Sequence, residues 1–68
     1  MTTNNSADQA ELSALTTAVD ELAKRVTRIT ERYMSGARDD VLAALEDAER
    51  SLLVASRRLS VATRALAR

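Results

Sequence analysis

The sequence predicts an all-α fold, an antiparallel helical hairpin of coiled-coil type that dimerises into a four-helix bundle. Three observations predict it. Apolar residues recur at alternating spacings of three and four in two separate stretches, the only glycine stands between them, and each stretch runs from an acidic half to a basic half.

The chain opens on a polar segment, residues 1–6, expected to be a disordered tail. It has neither the basic region nor the apolar run of a secretory signal. The first helix is expected over about residues 7–34. Ser6 or Asp8 can cap its start, and Asp8 and Glu11 set negative charge in the first turn, where the helix dipole favours it. Its apolar stripe is Leu12, Leu15, Val19, Leu22, Val26, Ile29 and Tyr33. An unbroken alternation of three and four is the seam of a coiled coil rather than the wider face of an ordinary globular helix.

A turn is expected over residues 34–38. Tyr33 and Leu45 are 12 residues apart, two short of two heptads, so one straight helix would carry the second stripe away from the first. Gly36 supplies the left-handed residue that ends helices. Met34 is expected to fill a gap beside the turn, and Tyr33 to close the core end with its hydroxyl in water. The second helix is expected over about residues 39–67, with Asp39 and Asp40 in its first turn. Its stripe is Val41, Leu45, Ala48, Leu52, Ala55, Leu59, Ala62 and Leu66.

So short a turn makes the helices antiparallel neighbours. Doubling back lays the acidic half of each helix beside the basic half of the other, an arrangement that selects orientation more than it stabilises. The stripes then pair as Ile29 with Leu45, Val26 with Ala48, Leu22 with Leu52, Val19 with Ala55, Leu15 with Leu59 and Leu12 with Ala62. Large residues of the first helix face a leucine–alanine alternation on the second.

Composition narrows the function. With 68 residues the chain is one small domain, and domains of this size bury too little apolar surface to stand comfortably alone. There is no cysteine, histidine or tryptophan, and Tyr33 is the only aromatic residue. A disulfide framework, a zinc site and a thiol nucleophile are thereby excluded, and no metal or cofactor is expected. Oligomerisation is the remaining source of stability. The architecture resembles four-helix bundles assembled from two hairpins, a likeness that carries no implication about activity. Adjacent carboxylates such as Asp39–Asp40 and Asp20–Glu21 diverge on a helix and converge on no substrate, so no catalytic residues are assigned and an enzyme is not expected. No apolar run reaches bilayer length, and a cytoplasmic location is expected. Nine of the ten basic residues are arginine, a bias that suggests a GC-rich bacterial or phage genome.

Two surfaces remain as candidates. Leu42, Leu53, Val54 and Val61 lie off the seam of the second helix and are the candidate oligomer or partner face. Arg50, Arg57 and Arg64 recur every seven residues and form a candidate anion-binding ridge. The leading expectation is a structural or protein–protein interaction module, an adaptor or accessory subunit whose partner is itself or another helical protein. A nucleic-acid-binding regulator using the arginine ridge is the alternative, disfavoured by zero net charge and the absence of interleaved aromatics. Association of the segment from Arg50 to Arg68 with an anionic membrane surface ranks last, because those arginines are expected to answer the acidic half of the first helix.

Overall fold

The computed structural model describes residues 5–68, which form two helices, α1 (Asn5–Tyr33) and α2 (Asp39–Ala67). They lie antiparallel along their lengths. Gln9 near the start of α1 donates its side-chain amide to the carbonyl oxygen of Leu66 near the end of α2 at 2.9 Å. This bond occupies one of the last carbonyls of α2, which have no partner within the helix.

α1 begins earlier than its expected start. Asn5 and Ser6 are helical rather than part of a disordered tail, and the remainder of that tail, residues 1–4, lies outside the described residues. Extending a helix costs little once it is nucleated, since each residue fixed closes another hydrogen bond. α1 ends at Tyr33, and the amides of Met34 and Gly36 bond back to the carbonyls of Glu31 and Tyr33 at 3.4 and 3.3 Å. Gly36 has φ +104°, the only positive φ among the described residues. Met34 fills no gap, standing 65% exposed. Arg38 occupies the N-cap of α2 without capping it through its side chain. Its guanidinium instead holds Asp40 in a two-pronged pair at 3.1 and 3.1 Å.

The seam differs from the expected one on α1. The residues turned toward α2 are Gln9, Leu12, Thr16, Val19, Ala23, Val26, Thr30 and Tyr33. The three–four spacing persists, but every second position has moved on by one residue. Leu15, Leu22 and Ile29, expected inside, are 46, 46 and 39% exposed. On α2 the stripe from Val41 to Leu66 is half-buried throughout, and Leu42, Glu49, Ser56 and Thr63 are half-buried beside it. Counted in heptads from the Gln9–Leu66 bond, Thr16 falls level with Leu59, Ala23 with Leu52 and Thr30 with Leu45. These three replace Leu15, Leu22 and Ile29 in the expected pairing.

The cause lies in where an apolar stripe points. In a bundle it aims between two neighbouring helices, so one neighbour covers only one flank of it. α2 covers the flank carrying Thr16, Ala23 and Thr30, and the other flank stays open. Those threonines bring no unsatisfied hydroxyl into the seam. Thr16, Thr30 and Thr63 each donate to the carbonyl four residues back, Leu12, Val26 and Leu59, at 2.8, 2.9 and 2.8 Å. Thr30 is the one fully buried residue among those described, and no apolar side chain is fully buried.

The charge complementarity along the hairpin is not realised as ion pairs between helices. The pairs among the described residues are local: Lys24 with Glu21, Arg38 with Asp40 and Arg50 with Asp47. Acidic and basic side chains project from the outer sides of both rods and reach along their own helix before they reach across.

Candidate functional site

The displaced seam gives the hairpin two unlike faces. One groove between the helices is polar. Ser13, Thr16, Thr17, Ser60, Thr63 and Arg64 line its first stretch. Asp20, Lys24, Thr27, Arg28 and Glu31 continue it, with Ala23 and Leu53. Ser56 donates to Asp20 across this groove at 2.6 Å.

Helical periodicity then fixes the composition of the opposite face. The seam flanks that do not belong to the polar groove are Leu15, Leu22 and Ile29 on α1 and Ala48, Ala55 and Ala62 on α2. Ala18 and Ala44 lie just outside them. Three large side chains form a ridge along one helix, and three alanines at the same heptad spacing form a shallow ladder along the other. No charged residue stands among these eight. Charge returns in the columns of Ala18 and Ala44 themselves, with Glu11, Arg25 and Arg32 on α1 and Arg58 on α2, and Asp40 and Asp47 stand one step farther round α2.

The four candidate oligomer-face residues fall on two sides of α2, Leu42 and Leu53 on one and Val54 and Val61 on another. Leu53, 55% exposed, lines the polar groove. Val54 and Val61 line a separate depression on the outer side of α2 with Arg57 and Arg58. Leu42 is half-buried at the turn end. The turn of a helix, 100° per residue, separates Leu53 from Val54 although they adjoin in sequence.

The arginine ridge keeps its seven-residue line along the outer side of α2. Arg50 is tied to Asp47 at 2.7 Å, Arg57 borders the valine depression, and Arg64 faces the polar groove. Among the described residues no cluster of three or more His, Cys, Asp or Glu side chains is placed to hold a metal ion. No helix is long and apolar enough to cross a membrane.

Two carboxylates stand apart, one by its ion pair and one by its burial. Asp40 is held below the ordinary carboxylate range, first by the guanidinium of Arg38 and then by the backbone amide of Val41. The same pair raises Arg38 above its usual value. Glu49 lies half-buried in the α2 seam with its Oε1 buried and without a hydrogen-bond partner.

The seam residues missed from the sequence were Gln9, Thr16, Ala23 and Thr30. A signal for them exists: they too recur every seven residues and none is charged, whereas the helix positions farther from the stripe carry most of the charges. No protein family, curated protein or solved structure matches this chain.

Proposed function

We propose that this chain is a non-enzymatic protein–protein interaction module, an adaptor or accessory subunit that acts as a homodimer of helical hairpins forming a four-helix bundle. One observation carries the reading: among the described residues no apolar side chain is fully buried, and three of the seven large apolar residues left exposed, Leu15, Leu22 and Ile29, fall in line along one side of α1. A folded domain gains most of its stability from apolar burial, and ordering each residue costs about 1–2 kcal/mol of backbone entropy. A hairpin with no buried apolar residue is therefore short of core, and a second hairpin on the open face supplies it.

The size of that face suits a dimer. Rods about 40 Å long set about 9 Å apart present roughly 700 Å² on one side, close to the share each partner contributes to an ordinary stable interface. Zero net charge removes the general repulsion that would oppose self-association. The arginine ridge supports nucleic-acid binding less well, because Arg50 is engaged by Asp47 and the chain has no net positive charge.

Sedimentation equilibrium at micromolar concentration tests the reading. The expected result is a dimer whose melting temperature rises with protein concentration. A well-folded monomer with a concentration-independent melt contradicts it.

A further inference from the structure

We propose that the leucine ridge Leu15–Leu22–Ile29 of one copy seats on the alanine ladder Ala48–Ala55–Ala62 of a second copy, giving a head-to-head dimer with both turns at the same end. This rests on the homodimer reading above and specifies how the two copies meet.

The hairpin's own register supports it. When the two-fold axis runs along the rods, each level of one hairpin faces the same level of the other. The register set by the Gln9–Leu66 bond brings Leu22 to within two residues of the level of Ala55. Leu15 stands likewise to Ala62, and Ile29 to Ala48. Side chains lean toward the N-terminus of their own helix, and the helices run in opposite directions. The lean from both sides closes the small offset, so each large side chain arrives over an alanine.

Size complementarity separates this arrangement from its rival. With the axis across the rods, ridge would meet ridge about Leu22 and ladder would meet ladder, crowding one seam and leaving the other loose. Alternating large and small residues across facing positions fills space at native density. The rims agree. Head-to-head pairing sets the α1 rim of one copy against the α2 rim of the other, and Asp47 of the second copy, which holds Arg50 within its own helix at 2.7 Å, falls level between Arg25 and Arg32. Neither arginine is engaged in an ion pair among the described residues.

Because the chain has no cysteine, introduced thiols report on the arrangement without interference. Leu22→Cys and Ala55→Cys chains, made separately, are mixed in equal amounts, oxidised mildly and resolved by mass. The expected product is the mixed disulfide, at least threefold above either same-residue disulfide. Predominance of the Leu22→Cys homodisulfide in a chain that still sediments as a dimer overturns the head-to-head arrangement but leaves the homodimer reading standing. If the parent sediments as a monomer and no disulfide exceeds that of a urea-denatured control, both fail. A second pair of variants checks the face. Leu22→Arg is expected to weaken dimerisation at least tenfold with helicity retained, and Leu53→Arg to leave it within twofold; the reverse pattern overturns the proposal.

Discussion

Ser56 donates a 2.6 Å hydrogen bond to the carboxylate of Asp20, joining the middle of α2 to the middle of α1 across the polar groove. Gln9 to Leu66 is another side-chain hydrogen bond that joins the two helices. Asp20 is exposed, so water competes for it and the net worth of the bond is modest. A double-mutant cycle of Asp20→Ala and Ser56→Ala, followed by urea unfolding, is expected to give a coupling of about 0.5–1 kcal/mol. Additive losses would mean the bond contributes nothing in solution.

Gly36 adopts φ +104° with nothing within 4 Å of where a Cβ would stand. The obstacle to a side chain there is thus the backbone's own strain and not a neighbour. Gly36→Ala is expected to destabilise by about 1–2 kcal/mol, and Gly36→Asn by about half as much, since asparagine tolerates the left-handed region better. Equal losses for the two in thermal or urea melts would place the penalty elsewhere.

How far the sequence disclosed this architecture follows from what each signal encodes. Heptad spacing and the phase break between Tyr33 and Leu45 report on the backbone of one chain, and they locate both helices and the turn to within a few residues. The facing of α1 is different. Its apolar stripe records the sum of everything that covers the helix, while α2 covers only one flank. The stripe therefore points Leu15, Leu22 and Ile29 at α2, where Thr16, Ala23 and Thr30 stand. The division of Leu42 and Leu53 from Val54 and Val61 is legible in the sequence, because helical periodicity alone sets the two pairs on different sides of α2.

Thr30 is 5% exposed, and its hydroxyl is satisfied by the carbonyl of Val26 in its own helix. Removing that hydroxyl strands no donor. Thr30→Val is expected to stay within about 0.5 kcal/mol of the parent in urea melts. Thr30→Arg, which forces an unpaired charge into the seam, is expected to cost about 3 kcal/mol or more.

Glu49 presents an oxygen to the seam that finds no hydrogen-bond partner. A desolvated polar atom without compensation is a standing cost. Glu49→Leu is expected to stabilise the fold by about 1 kcal/mol, read as a raised melting temperature at fixed protein concentration. A lowered one would show that the carboxylate is engaged in the assembled form.

The exposed Arg38–Asp40 pair contributes to the response to acid. Asp40 titrates below its unfolded value because Arg38 hydrogen-bonds its charged form. Its contribution is present above the unfolded carboxylate pKa of about 4 and is lost as pH falls through the lower folded value. There is no histidine to titrate in the neutral range. Helicity melts are therefore expected to be flat from about pH 8 to 5 and to weaken below about pH 4. Arg38→Gln is expected to blunt that acid response, and an unchanged profile in the variant would remove the pair as its source.

The threonine hydroxyls of the seam all turn back on their own rods, and this makes the alignment of the two helices a property of their tether. Seven-residue periodicity on both sides offers near-equivalent grips, and few bonds tell one from the next. A chain severed in its turn would keep two rods that recognise each other yet slip by whole heptads. The short covalent link, more than any key in the interior, holds this molecule in step.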